Sequence, residues 1–310
     1  ETLKPPSISF LAEGGRGGKP PSFQRRGFPP KTPTQRGFPP ETHIPQKEQE
    51  MKKIAVITGG TSGLGKELKK LYENDGYTVC NLSRSCDDES ADEYACDVTD
   101  EAQVNAAVEK IAKKYGRIDA LINNAGAGLF GTVELAPMSE IRRITDISYF
   151  GALYVTRACL AHMDKGSRIV FMCSISSMTV TPYHSAYCAA KAAELMLGES
   201  LRLELKGTGI SVTCICPGEI ATGFSSSKKI YAQTNERYLD RVSRAEKLAV
   251  SRAAGGKRMS VEKAAKKIYK KCIKGKKAVY IIGGKYKFFR LVQRLTSDTC
   301  FLNLTNKFAS

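Results

Sequence analysis

Among the thirteen tyrosines of the 310-residue chain, only Tyr187 has a lysine four residues on, in Tyr187-Cys188-Ala189-Ala190-Lys191. In a helix this spacing puts phenol and ammonium on one face, a single turn apart. A phenol is a poor acid–base group at its reference pKa of about 10, but a neighbouring positive charge favours the phenolate and brings proton exchange toward neutral pH. Ser174, thirteen residues before Tyr187, ends an apolar run. Taken alone, Tyr-x-x-x-Lys reads by default as a packed tyrosine and a surface lysine. A second motif upstream decides between the two.

That motif is Thr58-Gly59-Gly60-Thr61-Ser62-Gly63-Leu64-Gly65, placed between the apolar run Ile54 to Ile57 and an amphipathic stretch from Lys66 to Asn74. Glycines there permit positive φ and close approach of backbone to a pyrophosphate, and the following helix start supplies free N–H groups and a positive dipole end. A bare Gly-x-Gly-x-x-Gly search selects Gly126 to Gly131 instead, but that match follows the fourth strand-like run and lacks the first-strand context of a dinucleotide fingerprint. The cofactor type is read from the end of the second run, Asn81-Leu82-Ser83-Arg84-Ser85. An NAD site has a carboxylate about 20 residues beyond the loop, for the ribose 2′-hydroxyl, whereas an NADP site needs a cation for the 2′-phosphate. Ser83 stands where the acid would be and Arg84 offers a guanidinium, so NADP(H) is expected, against the plainer reading of Arg84 as a solvated loop charge.

Together these motifs resemble the short-chain dehydrogenase/reductase family over essentially all of 51–310. The glycine loop is similar to that family's TGxxxGxG, Asn123-Asn124-Ala125-Gly126 to its NNAG, and Ser174, Tyr187 and Lys191 to its catalytic set. The resemblance implies a single α/β domain of the doubly wound Rossmann type that binds NADP(H) and interconverts a carbonyl and a secondary alcohol. It assigns cofactor contacts to Gly59, Thr61, Ser62, Gly63, Leu64 and Gly65, and to Ser83 and Arg84. Asp97 with Val98 matches the adenine side, and Asn124, Ala125 and Gly126 the loop after the fourth strand. Pro217, Gly218, Ile220 and Thr222 match the nicotinamide side, with Tyr187 and Lys191 reaching the ribose. Ser174 is then expected to polarise the substrate oxygen, with Tyr187 as acid and base. One position departs from the pattern: Ser148, in Asp146-Ile147-Ser148-Tyr149-Phe150-Gly151, stands where the family has an asparagine that helps hold a water in the proton relay from lysine to solvent. A serine can hydrogen-bond within the helix and perturb it similarly, so Ser148 is carried as a catalytic candidate. Asn124 is expected to anchor the sheet edge, His184 to be a loop histidine near the pocket, and Cys173 and Cys188 to be small packing residues.

These side chains need a scaffold, and apolar strand runs alternating with helical periodicity supply one. Seven runs read as strands: Ile54 to Ile57, Thr78 to Cys80, Tyr94 to Cys96, Ala120 to Ile122, Arg168 to Met172, Ile210 to Ile215 and Ala278 to Ile282. Helical stretches from Ala102 to Lys114, Met138 to Met163 and Ala186 to Lys206 lie between them. Such alternation predicts a seven-stranded parallel sheet with right-handed crossovers, helices on both faces, and a ligand site at the carboxyl ends of the strands. The long stretches at 138–163 and 186–206 suit the paired-helix dimer of the resembled family, so a homodimer or homotetramer is expected.

Composition narrows the alternatives. The chain is 42% hydrophobic and 25% charged, enough for a full core. Its ten cysteines include no CxxC pair and its histidines number three, so no metal site is expected and a reducing, cytoplasmic setting fits best. Net charge is +17, yet residues 51–227 carry 18 basic and 21 acidic groups while 228–310 carry 22 and 5. The near-neutral middle has no nucleic-acid-binding signature, and no nucleic-acid partner is expected. Ten of the thirteen prolines precede Met51, so residues 1–50 are expected to be a disordered Pro/Gly-rich segment, extraneous if Met51 is the start. The stretch from Phe224 to Lys257, which would cover the substrate, is polar and basic and says little about substrate shape. From Tyr286 to Leu295, Phe288, Leu291, Val292 and Leu295 form an apolar stripe beside Lys287, Arg290 and Arg294. Such a helix either packs on the sheet or lies in an anionic membrane surface, and the second reading points to a lipophilic steroid, retinoid or fatty-acyl substrate. The rival functional reading is a redox-sensing regulatory protein that binds NADP(H) without turnover.

Overall fold

The computed structural model describes residues 52–309 apart from 87, 223–227, 232, 234, 239 and 255–257. The segment 1–50, and parts of the Phe224 to Lys257 stretch, lie outside the described residues. The strands are β1 (Ile54–Thr58), β2 (Thr78–Ser83), β3 (Glu93–Ala95), β4 (Ala120–Asn123), β5 (Leu129–Gly131), β6 (Arg168–Met172), β7 (Ser211–Pro217), β8 (Ile220–Ala221), β9 (Lys229–Tyr231), β10 (Met259–Ser260) and β11 (Val279–Ile282). Seven of them form one sheet in the order β11-β7-β6-β4-β1-β2-β3, and every neighbouring pair in it is parallel. All seven sheet strands coincide with the sequence-predicted runs. The two-residue and three-residue pairs β8–β10 and β5–β9 lie outside the main sheet and are too short to leave a periodic signal.

The helices are α1 (Gly63–Asn74), α2 (Glu101–Tyr115), α3 (Met138–Thr145), α4 (Gly151–Leu160), α5 (Ser185–Glu204), α6 (Asp240–Ala254), α7 (Val261–Lys274), α8 (Gly284–Leu295) and α9 (Asp298–Ala309). Successive residues of β1 face opposite cores, which is why the strand is apolar throughout rather than alternating. Ile54 and Val56 pack with Val104, Val108 and Ile111 of α2, Val155 of α4 and Leu195 of α5. Ala55 and Ile57 pack with Leu68 and Tyr72 of α1 and Ala265 and Ile268 of α7. This is a doubly wound α/β sandwich. From β1 the chain builds outward first through β2 and β3, then, from β4, in the opposite direction. The loops leaving β1 and β4 therefore part at the switch point, where such sheets hold ligands.

The periodicity from Met138 to Met163 predicts one continuous helix, whereas the structure divides it. A π turn, Asp146–Phe150, separates α3 from α4 and carries Ser148. Directly after it, a Cβ on Gly151 would lie 2.8 Å from Val98 Cγ2, so only glycine lets the wound chain approach the loop after β3.

Candidate active site

The glycine loop is held from beneath by β2 and from the side by the β4 loop. Gly59 N–H donates to Leu82 O at 2.9 Å, and Gly60 N–H donates to Asn81 Oδ1 at 2.7 Å. Asn124 Nδ2 donates to Thr58 O at 3.0 Å and to Gly59 O at 3.2 Å, while Thr58 Oγ1 accepts from the backbone N–H groups of Asn124 and Ala125. Asn124 is thus an anchor, fastened to the loop itself. Gly59 has φ +67°, a left-handed conformation that favours glycine. A Cβ on Gly65 would stand 2.2 Å from Gly59 O and 2.5 Å from Asn124 Nδ2. The α1 N-cap, Ser62, makes no side-chain cap hydrogen bond, leaving the first-turn N–H groups directed at whatever lies over the loop. These features fit a dinucleotide pyrophosphate: a tight turn, a close backbone approach and an uncapped helix start.

The rest of the expected cofactor surface lies around this loop. Thr61 Oγ1 is 3.3 Å from Ser83 Oγ, joining the loop to the end of β2, where Arg84 is exposed. Asp97 is half-buried, and its Oδ1 accepts from Thr99 N–H at 3.0 Å and Thr99 Oγ1 at 2.8 Å, which orients the carboxylate after β3. Val98 is buried beneath it. Across the cleft, a Cβ on Gly63 would lie 3.7 Å from Thr222, so the phosphate loop and the segment from Pro217 to Thr222 face each other. Gly218 is covered by Tyr286 of α8, whose ring would be 1.7 Å from a Cβ there and whose hydroxyl accepts from Glu219 N–H at 3.0 Å. The tail helix thereby fixes the cleft wall that carries Gly218 and Ile220. A cavity of about 510 Å³ borders the same wall, lined by Gly218, Ile220, Met259, Lys263 and Tyr286.

Ser174 ends the β6 run as the N-cap of a short 3₁₀ turn, its Oγ accepting from Ser176 N–H at 3.1 Å. Tyr187 lies in the first turn of α5, half-buried, with its phenol facing the Ser174 hydroxyl. Burial pushes the phenol above its ordinary value, while the Lys191 charge and the Ser174 hydroxyl pull it back. Lys191 is buried, donating to Met172 O at 2.9 Å and to Glu194 Oε2 at 2.7 Å. Burial opposes its charge, but the Glu194 carboxylate and Tyr187 outweigh that and raise Lys191 above the usual lysine value. Ser148, on the π turn packed against α5, is fully buried and its Oγ has no hydrogen-bond partner.

His184 precedes α5, sits edge-on to Phe130 with centroids 5.3 Å apart, and has Nε2 3.3 Å from Lys228 Nζ. Burial and the Lys228 charge lower its pKa to about 4, so it is neutral at neutral pH and no proton donor there. Cys188 is buried and packs as expected. Cys173 is likewise buried in the core, beside β7.

Three supports escaped the sequence reading. Asn81 interrupts an apolar strand with an amide that is wholly buried, a pattern that could have marked it. Its Nδ2 donates to Glu93 Oε2 at 2.6 Å and to Cys86 Sγ at 3.0 Å, and Glu93 also pairs with Lys69. Tyr286 had no local signal, since its contact with Gly218 joins residues distant in the chain. Glu194 sits on the buried side of α5, three residues after Lys191, where its spacing alone could have raised the question.

Among the described residues no group of three or more histidine, cysteine, aspartate or glutamate side chains is placed to hold a metal ion. No described helix is long and apolar enough to cross a membrane. The family model for short chain dehydrogenase matches residues 53–231. A 3-ketodihydrosphingosine reductase of Bacteroides thetaiotaomicron is 35% identical over 60% of this chain and 72% of its own length. Dehydrogenase/reductase SDR family member 7B of Mus musculus is 33% identical over 56% of this chain, and the match spans 59% of its length. The solved structure of ElxO with NADP bound aligns at a TM-score of 0.61 and 28% identity, covering 77% of this chain and 100% of that one. With the parallel sheet, the anchored glycine loop and the Ser174, Tyr187 and Lys191 cluster at its carboxyl edge, this chain belongs to the short-chain dehydrogenase family.

Proposed function

We propose that the protein is an NADP(H)-dependent oxidoreductase interconverting a carbonyl and a secondary alcohol, with Tyr187 as acid and base. The observation that carries this reading is the Tyr187 phenol facing the Ser174 hydroxyl and lying in the field of the buried Lys191. When bound, a nicotinamide cofactor supplies the hydride. In the reductive direction Tyr187 gives its proton to the oxygen that becomes the alcohol, Ser174 donates a hydrogen bond to that oxygen, and the Lys191 charge stabilises the phenolate left behind. In the oxidative direction Tyr187 takes the proton back. Gly59, Thr61, Ser62, Gly63, Leu64 and Gly65 would hold the pyrophosphate, Asp97 and Val98 the adenine end, Asn124 to Gly126 the middle, and Pro217, Gly218, Ile220 and Thr222 the nicotinamide end. Arg84 is exposed at the β2 terminus with no carboxylate within ion-pair distance among the described residues, and it favours a 2′-phosphate; the NADP-bound relative is in keeping with this.

A lipophilic substrate taken from a membrane surface is supported by α8. Phe288 is 67% exposed, Leu291 51% and Leu295 77%, beside exposed Lys287 and Arg294. The helix holds to the body through its other side, where Phe289 stacks on Phe301 at 4.9 Å and Gln293 donates to Met178 O at 2.9 Å. Val292 is half-buried, so the outward stripe is narrower than the four residues expected from periodicity. Its apolar residues among cations suit an anionic lipid interface. The similarity to a 3-ketodihydrosphingosine reductase is in keeping with this substrate class. We further propose peripheral residence on a cytoplasmic membrane face and a homodimer or homotetramer, consistent with Phe150, Met196 and Leu203 standing exposed around α4 and α5.

The test is NADPH oxidation over steroid ketones, retinal, acyl thioesters, quinones and sugar ketones, run with Tyr187→Phe alongside. Turnover should fall by several orders of magnitude in Tyr187→Phe with NADPH affinity nearly unchanged, because only the proton donor is removed. Equal NADPH binding with no turnover of any carbonyl by the unaltered protein would instead favour the regulatory, redox-sensing reading.

A further inference from the structure

Glu194 lies three residues after Lys191 on α5, with 1% of its side chain exposed against 4% for the lysine, and the two groups meet at 2.7 Å. Burying a carboxylate is costly: its surroundings on the β7 side are apolar or thiol groups, so burial pushes the Glu194 carboxyl well above its ordinary value, and the Lys191 charge beside it pulls it back. The groups that face it are few. Lys191 and Tyr187 lie on its own helix, Cys173 follows β6, and Cys214 and Cys216 project from β7. Lys191 is the only cation among them. Its other bond, to Met172 O, leaves one direction of the ammonium fixed by backbone and one by Glu194. On the neighbouring π turn, Ser148 Oγ is buried and makes no direct hydrogen bond to Lys191.

We propose that Glu194 is a positioning residue for proton transfer at Tyr187: its carboxylate fixes the Lys191 ammonium in place and in its charged form. The proposal rests on the oxidoreductase reading. Glu194 touches neither substrate nor reacting atoms. It acts through Lys191, whose charge makes the Tyr187 phenolate accessible.

The experiment compares wild type, Glu194→Gln and Glu194→Asp in the full chain, by the pH profile of kcat and by the pH dependence of Tm. Glutamine keeps the volume and removes the counter-charge. Lys191, buried and unpaired, then gives up its proton inside the assay range, and kcat of Glu194→Gln should fall about tenfold per pH unit on an alkaline limb that wild type lacks below pH ~9. Aspartate keeps the charge but draws it back, so its limb should lie between the two, a graded rescue that loss of packing would not produce; it also carries the test alone should the glutamine variant fail to fold. The second readout needs no turnover. In Glu194→Gln the fold favours neutral Lys191 while the unfolded chain stays protonated to about pH 10.4, so the variant gains stability as pH rises. Its Tm deficit against wild type should therefore narrow from pH 7 to 10. A wild-type kcat profile in Glu194→Gln, or a Tm deficit that does not change with pH, would overturn the proposal. A narrowing deficit in a protein that reduces no carbonyl would overturn the oxidoreductase reading and leave Glu194 a structural partner only.

Discussion

Gly65→Ala tests whether the anchored glycine loop is the cofactor cradle. The added Cβ would lie 2.2 Å from Gly59 O, 3.0 Å from Gly59 C and 2.5 Å from Asn124 Nδ2. Both Gly59 atoms are backbone, so the clash cannot be relieved by turning a side chain. Restoring ordinary contact needs the loop to move by roughly 1 Å away from α1, judged against a C–O contact near 3.5 Å. Such a shift strains the bonds from Asn124 Nδ2 to Thr58 O and Gly59 O and from Gly59 N–H to Leu82 O, each of them worth about 1 kcal/mol. With about 1–3 kcal/mol for overpacking, the cost is on the order of 4–6 kcal/mol. It divides between the fold and cofactor affinity according to how far the loop moves before ligand arrives. At roughly 2–4 °C per kcal/mol, a fully structural outcome lowers Tm by ~8 °C or more, and a fully functional one weakens NADPH by roughly several hundredfold or more. The assay pairs calorimetric melting with NADPH titration, using Gly284→Ala as control because nothing lies within 4 Å of a Cβ there and its φ is ordinary. Gly65→Ala matching that control in both Tm and Kd would refute the close-approach argument.

Three further outcomes are expected. Arg84→Ala combined with Ser83→Asp should reverse a preference for NADPH over NADH in titration calorimetry; equal binding of both by the unaltered protein would remove the case for a 2′-phosphate site. His184, held near pKa 4 by burial and Lys228 and about 6.5 when unfolded, binds its proton first in the unfolded chain. Stability should therefore be complete above pH 6.5 and decline toward pH 4, by up to about 3 kcal/mol, and His184→Gln should flatten that acid limb in a series of melts. Sedimentation with anionic liposomes at low salt should deplete the wild-type protein and spare a Phe288→Ser, Leu291→Ser pair of unchanged Tm; equal supernatants would remove the membrane argument and return small polar carbonyls to consideration.

The sheet was legible because strands buried on both faces are apolar along their whole length, and β1, β4, β6 and β7 each appear as such a run bounded by polar turns. The glycine loop, Tyr187 and Lys191 were legible because their chemistry depends on spacing within one turn or one loop. What lay outside reach was contact between distant segments. Tyr286 meets Gly218 across 68 positions, and Asn81 joins Gly60, Cys86 and Glu93 from three separate stretches. The π turn was hidden for a different reason: an inserted residue leaves the apolar periodicity on either side intact and shifts only its phase.

The Asn81 network also links two features that the sequence presents as separate. Its amide holds Gly60 of the phosphate loop, and through Glu93 and Cys86 it holds both ends of the β2–β3 connection that carries Arg84. Ser83 adds a second tie, 3.3 Å from Thr61. The loop proposed to position the pyrophosphate and the loop proposed to select the 2′-substituent are therefore parts of one hydrogen-bonded unit, and a substitution at the second should be felt at the first. Ser83→Asp introduces a carboxylate where a hydroxyl faces Thr61, so it both creates an acceptor for a ribose hydroxyl and repositions the loop beneath the phosphates. Selectivity at Arg84 and affinity at the glycines should then change together, since the buried amide of Asn81 lets neither segment relax without the other.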